Sequence, residues 1–252
     1  MANDIEVTLV APRYLAGPGD PAWITVPLHN ACGWIIAEEP LMPRVILTSP
    51  DRQAELRLDP APDDPWWRLY HAAAADHPAW YASFGARTPV ELVAAVLNAL
   101  TAPAASQGVA SDPLEPARQA GWAWSPNACI SPDGIAEIEC FTDHGANSWF
   151  ITAALSGDPE NQLWQAHFDG NTPDYLVTAF TRALADPSPL IRDPMRLPPR
   201  ARQRTHLRTE QLPAESVAFA LEHRTTALSQ RRAPSPAPPP APPQAPQPRR
   251  AR

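Results

Sequence analysis

The sequence predicts an α+β fold made by tandem duplication, each lobe an antiparallel meander of about four to five strands followed by one packed α-helix. Three observations carry that expectation. Trp80, Phe84, Thr88, Pro89, Leu92, Val93, Ala95, Ala99 and Leu100 recur as Trp164, Phe168, Thr172, Pro173, Leu176, Val177, Ala179, Ala183 and Leu184 at one offset of 84, so one supersecondary unit is present twice. Upstream of each anchor, apolar residues alternate with polar ones at the period of a half-buried strand. After each anchor a Thr-Pro pair opens a stretch whose apolar residues fall on one helical face.

The copies extend upstream through small length changes. Ser49-Pro50-Asp51 matches Ser131-Pro132-Asp133, Ala54-Glu55-Leu56 matches Ala136-Glu137-Ile138, and Trp67 matches Trp149, at an offset of 82. Gly33-Trp34 pairs with Gly121-Trp122 at an offset of 88. Such changes belong in loops between retained strands.

In the first copy Arg44 to Thr48 forms a strand, and Ser49 to Arg52 has the composition of a tight turn, with proline presetting φ and aspartate bonding its own backbone. Ala54 to Leu58, Trp67 to His71 and Trp80 to Phe84 follow as strands. Thr88 is expected to cap the helix, Pro89 to occupy its first position and Glu91 to complete a capping box. Leu92, Val93, Val96 and Leu100 form its buried stripe. In the second copy the strand faces are Ala136, Ile138, Cys140, then Trp149, Ile151, Ala153, then Trp164, Ala166, Phe168. Thr172 and Pro173 open the helix striped by Leu176, Val177, Phe180 and Leu184. Each helix is expected to cover the tryptophan-rich face of its own sheet, so that Trp164→Ala would unfold the second lobe first.

Outside the copies, Ile5 to Val10 and Trp23 to Leu28 read as two further N-terminal strands. The expected division is a first lobe over 1–102, a linker over 103–117, a second lobe over 118–190, an Arg-rich segment over 191–232 with a helix near 213–228, and a tail over 233–252. That tail has nine prolines in twenty residues and too few apolar side chains to offset its ordering entropy, so it is expected to be extended and disordered.

Charge divides the chain at the same place. Residues 1–190 carry 8 Arg against 23 acidic residues, whereas residues 191–252 carry 12 Arg against 4. The chain has no lysine. The three cysteines have neither CxxC nor His-paired spacing, and their odd number argues against a disulfide framework. The start lacks a basic and apolar leader and no segment approaches the ~20 apolar residues of a membrane span, so a cytoplasmic protein is expected.

Pro12 to Gly17, Gly33-Trp34, Ser49-Pro50-Asp51 and the Trp80 to Leu100 segment with its Thr-Pro helix start together resemble the actinobacterial domain-of-unknown-function family 317. The resemblance covers about residues 8–190 and implies two tandem units. It implies no catalytic residue and no cofactor.

The motifs of the sequence point the same way. Gly17 to Asp20 lacks the lysine and spacing of a phosphate loop, and no dinucleotide fingerprint, zinc-protease helix or nucleophile elbow occurs. Of the seven histidines only His71 is placed on an inner strand face, where a hydrogen-bonded core residue is the ordinary role. Asp63-Asp64 reads as a solvated hairpin. No catalytic, cofactor or metal residue is assigned. The expected function is therefore a non-catalytic binding or scaffold protein whose partner is another protein, with no membrane association. The alternative is single-stranded nucleic-acid binding, through the Arg-rich tail or through Arg57, Arg68, Tyr70 and Tyr81 on the outward face of the first copy. Against that alternative, the matching face of the second copy offers Glu137, Glu139, Phe150, Gln165 and His167, and the acidic 1–190 repels phosphate. An enzyme is the third and least supported reading.

Overall fold

A computed structural model describes residues 4–37, 44–60, 66–75, 77–103, 112–155, 161–197 and 199–232. Strand β1 (Asp4–Ala11) and helix α1 (Ala22–Asn30) precede the first unit. That unit comprises β2 (Ile35–Ile36), β3 (Val45–Thr48), β4 (Ala54–Leu58), β5 (Trp67–His71), β6 (Trp80–Phe84) and α2 (Val90–Leu100). Helix α3 (Glu115–Gln119), which forms at the end of the expected linker, leads into the second unit. There β7 (Ala123–Ser125), β8 (Ala128–Ile130), β9 (Ala136–Asp143), β10 (Ala146–Ala154), β11 (Gln162–Phe168) and α4 (Asp174–Ala185) repeat the order. Strand β12 (Leu190–Ile191), helix α5 (Pro199–Arg202), strand β13 (His206–Pro213) and helices α6 (Ala214–Ala218) and α7 (Ala220–Arg232) follow.

The Ser-Pro-Asp turns set the register of both units. The Ser49 hydroxyl donates to Asp51 and accepts from the Ala54 amide at 2.9 Å. Ser131 donates to Asp133 at 2.6 Å and accepts from Ala136 at 2.9 Å. Reversal requires a left-handed residue, which is Arg52 (φ 60°) in one unit and Gly134 (φ 71°) in the other. Only the glycine adopts it without a steric penalty.

The two meanders do not close as separate lobes. They join edge to edge in one ten-stranded antiparallel sheet of order β2-β3-β4-β5-β6-β11-β10-β9-β8-β7. At the junction Ala82, Ser83 and Phe84 pair with Phe168, His167 and Ala166. The Gly85 amide extends the ladder to the Gln165 carbonyl at 2.8 Å. A Cβ at Gly85 would lie 3.3 Å from the backbone N and O of Gln165, so the close approach favours glycine there. Physically, each meander ends in a strand with an unpaired edge, and pairing the two edges satisfies both.

Helices α2 and α4 share one face of this sheet, and the core is common to both units. Phe180 of α4 meets Phe84 of the first unit at 5.7 Å and Phe168 of the second at 5.5 Å. Trp80 and Trp164 are both buried, and Trp164 Nε1 donates to the Tyr14 carbonyl at 2.8 Å.

Four expectations change. Trp23 to Leu28 is helical, within α1, because Asp20 accepts from the Ala22 amide and Ile24, Pro27 and Leu28 bury one face. The helix-opening threonines do not cap: Pro89 and Pro173 stand at the N-cap positions and neither helix has a side-chain cap. Among the described residues Thr88 Oγ1 is buried without a hydrogen-bond partner, while Thr172 Oγ1 donates to Asp169 at 2.8 Å. Glu91, expected in a capping box, instead forms a two-pronged ion pair with Arg192.

The fourth change concerns 191–232, which is built into the fold. Strand β13 pairs with β1 over its whole length, from Asp4 opposite Pro213 to Ala11 opposite His206, in a second sheet of order β12-β1-β13. The helix expected near 213–228 is broken at Phe219 into α6 and α7. Helix α7 docks on α1 through Arg224. Pro27 cannot donate to the Trp23 carbonyl one turn back, and Arg224 Nε takes that carbonyl at 2.9 Å while its guanidinium lies 5.2 Å over the Trp23 ring. The proline-rich 233–252, expected to be disordered, and Asp63-Asp64 lie outside the described residues.

Candidate functional site on the open face of the sheet

With α2 and α4 on one face, strand alternation turns the remaining side chains to the other. Arg57, Arg68, Tyr70 and Tyr81 lie there, on three adjacent strands. Tyr70 and Tyr81 are directly opposed and their rings sit 4.9 Å apart, with the Arg57 guanidinium 5.3 Å over Tyr70. Both arginines have acidic neighbours: Arg57 bonds Glu55 at 2.5 Å and Arg68 lies 3.6 Å from Asp59.

The β6–β11 junction carries this patch into the second unit. Tyr81 meets His167 at 6.3 Å, His167 stacks on Phe150 at 4.5 Å, and Phe150 meets Phe141 edge-on at 5.5 Å. The result is a row of five aromatic rings from β5 to β9, with Arg57 at one end. Its two ends are the most open, Tyr70 at 37% and Phe141 at 54% exposure. Cross-strand aromatic contacts of this kind contribute to sheet stability, but they do not require half-open rings at both ends.

The electrostatics are asymmetric. Glu139 stands opposite Phe150 and Glu137 opposite Thr152, and among the described residues neither carboxylate is held in an ion pair. Burial, then the charge of Glu139, pushes the Glu137 carboxyl above its ordinary range. Burial holds the His167 imidazole below its ordinary value, against the pull of Asp169. The face is thus apolar along its centre, charge-balanced over the first unit and acidic over the second.

A cleft of about 880 Å³ lies beside the sheet junction, with Trp66, Arg87, Leu163, Met195, Arg196 and Arg200 among its lining. Arg200 donates to Asn161 at 3.0 Å. Among the described residues no acid, histidine or cysteine lines it, so these offer no proton-transfer pair. Among the described residues no group of three or more His, Cys, Asp or Glu could hold a metal ion. Burial raises the thiols of Cys129 and Cys140, which disfavours the nucleophilic thiolate. His71 is not in the core as expected: it is half-buried, stacked on Trp80 at 5.1 Å and edge-on to His77 at 4.9 Å.

Sequence alternation placed the four residues of the first unit and their counterparts in the second. It missed Phe141, although that residue shares the parity of Glu137 and Glu139, and it missed the junction that makes two patches one row.

The family described as Domain of unknown function (DUF317) matches this chain twice, over residues 48–105 and 130–190. Each DUF317 segment contains three strands and the helix that follows them, and the two together contain the whole aromatic row. The match is narrower than the resemblance read from sequence, since it leaves out residues 8–47. No curated protein and no solved structure is significantly similar to the chain. No described helix is long and apolar enough to cross a membrane.

Proposed function

We propose that this protein is a non-catalytic binding module that takes a segment of another polypeptide across the open face of its joined sheet. The observation that carries the reading is the row of five aromatic rings, continuous over both DUF317 units and most exposed at its ends. Aromatic rings supply contact area at low cost in side-chain entropy, which suits them to interfaces.

Single-stranded nucleic acid is the second reading, because bases stack on such rings. Charge favours the first. A stacking platform needs cations to hold phosphate, and here Arg57 and Arg68 face Glu55 and Asp59 while Glu137 and Glu139 add negative charge. On the sequence signals and family resemblance we place the protein in the cytoplasm of an actinobacterial cell.

A photo-reactive benzophenone side chain at Phe141, introduced in host cells and irradiated, tests the reading. Adducts should be polypeptides, and the same group at Ile191, 42% exposed on the smaller sheet, should not yield them. Adducts with nucleic acid, or equal yields from both positions, would overturn it.

A further inference from the structure

The open face has features of a receptor for proline-rich chains. Polyproline segments dock in grooves between aromatic rings, because the extended helix is preformed and each ring packs against a pyrrolidine. Acidic side chains beside the rings add a preference for arginine at one end of the ligand. The row from Tyr70 to Phe141 supplies a line of rings for pyrrolidines to pack on, and Glu137 and Glu139 beside its second half supply the acids.

This chain carries such a ligand. Residues 233–252 contain Pro236-Ala237-Pro238-Pro239 and Pro240-Ala241-Pro242-Pro243, and finish in Arg249-Arg250-Ala251-Arg252. Helix α7 delivers the segment to the right end of the sheet. The Arg232 guanidinium donates to the Thr101 carbonyl at 2.8 Å, and Arg232 shares a cleft of about 500 Å³ with Ser49, Asp51 and His71. His71 follows Tyr70 on β5 but faces the helix-covered side, stacked on Trp80, so the segment starts at the same end of that strand, across the sheet from the first ring of the row.

Length and charge agree. Twenty residues at ~3.1 Å each reach about 60 Å in a polyproline helix, whereas the five strands from β5 to β9 span about 19 Å at ~4.8 Å spacing. The segment can therefore turn the sheet edge, follow the row and still place its three arginines over the acidic half. Its sequence has no acid, so nothing in it opposes Glu137 and Glu139.

We propose that residues 233–252 dock in cis along the aromatic row, with Arg249, Arg250 and Arg252 set against Glu137 and Glu139. The inference rests on the reading of this face as a polypeptide receptor and names its ligand class as proline-rich and arginine-bearing. A partner segment of the same chemistry would compete with the tail, which makes the tail a built-in competitor for the site.

The four tyrosines report on this directly, because Tyr70 and Tyr81 are on the row and Tyr14 and Tyr175 are elsewhere. The full chain labelled with 3-fluorotyrosine is compared by fluorine NMR with a full-length variant in which the nine tail prolines become serine and the three tail arginines become glutamine. The Tyr70 and Tyr81 signals should shift between the two proteins, the Tyr14 and Tyr175 signals should coincide, and the shift should be unchanged by dilution. In E137Q/E139Q the same two signals should move toward their positions in the tail variant. Coincident Tyr70 and Tyr81 signals would overturn the proposal, and so would a shift that disappears on dilution, which would mean a tail supplied by a second copy. Polypeptide adducts at Phe141 together with coincident tyrosine signals would leave the receptor reading standing while removing the tail as its ligand.

Discussion

Pro27 leaves the Trp23 carbonyl without its helical donor, and Arg224 of α7 supplies one from outside the helix. Replacing Arg224 by Met strands that carbonyl and should cost about 1–3 kcal/mol. In a Pro27→Ala background the new amide can reach the carbonyl, so the same Arg224→Met change should cost less. Urea denaturation of the four proteins checks this, and equal costs in both backgrounds would refute the assignment. The helix-opening threonines should diverge in the same assay. Thr88→Val removes a hydroxyl with no partner and should be neutral or stabilising, whereas Thr172→Val loses the bond to Asp169 and should cost ~0.5–1.5 kcal/mol. His167 gives the row a pH dependence. Its folded-state value is lowered, so below the ordinary histidine value of ~6.5 the unfolded chain binds more protons than the folded one. Its contribution is therefore favourable at neutral pH and is lost as pH falls below that value. His167→Phe should lessen the loss of stability between pH 7.5 and 5.5, and an unchanged pH profile would contradict the burial of the ring. Glu137, whose value is raised, acts in the opposite direction, so E137Q is the companion control.

At the level of elements, periodicity and turn composition made the repeats readable. The apolar residues that alternate in β4, β5 and β6, and the stripes of α2 and α4 apart from the half-buried Leu100, bury as the pattern requires, since local sequence determines which side of a strand or helix is apolar. Three features escaped for physical reasons. Trp23 to Leu28 is short and apolar enough to suit a strand or a helix, and Pro27 argues against a regular helix until its lost hydrogen bond is seen to be replaced by Arg224. Strand β13 has no apolar alternation to detect, because most of its residues are exposed and its stability comes from backbone pairing with β1. Glu91 looked like a capping residue because its partner, Arg192, is a hundred residues away. The shared core also changes the behaviour expected of Trp164→Ala. That substitution should still cost ~3–5 kcal/mol, but Phe180 links the units, so both should unfold in a single transition. Far-UV circular dichroism and tryptophan fluorescence should give one midpoint, and separated midpoints would restore the picture of independent lobes.

At the level of the molecule, duplication alone did not determine whether two meanders would close separately or join. The β6–β11 ladder decides it, and the close approach at Gly85 is part of it. The candidate site follows from the same event: neither unit alone has more than three rings of the row, and only the junction sets Tyr81 beside His167. The charge difference between units, balanced on one side and acidic on the other, gives the continuous surface a direction, so a bound chain should lie across it in one orientation. The most direct measurement of that claim is identification of the adducts formed in host cells by photo-reactive groups at Tyr70 and, separately, at Phe141, the two ends of the row in different units. A single docking surface predicts that both positions capture the same polypeptide, at two separated places along its sequence. Unrelated partners from the two positions, or adducts with nucleic acid from either, would contradict it.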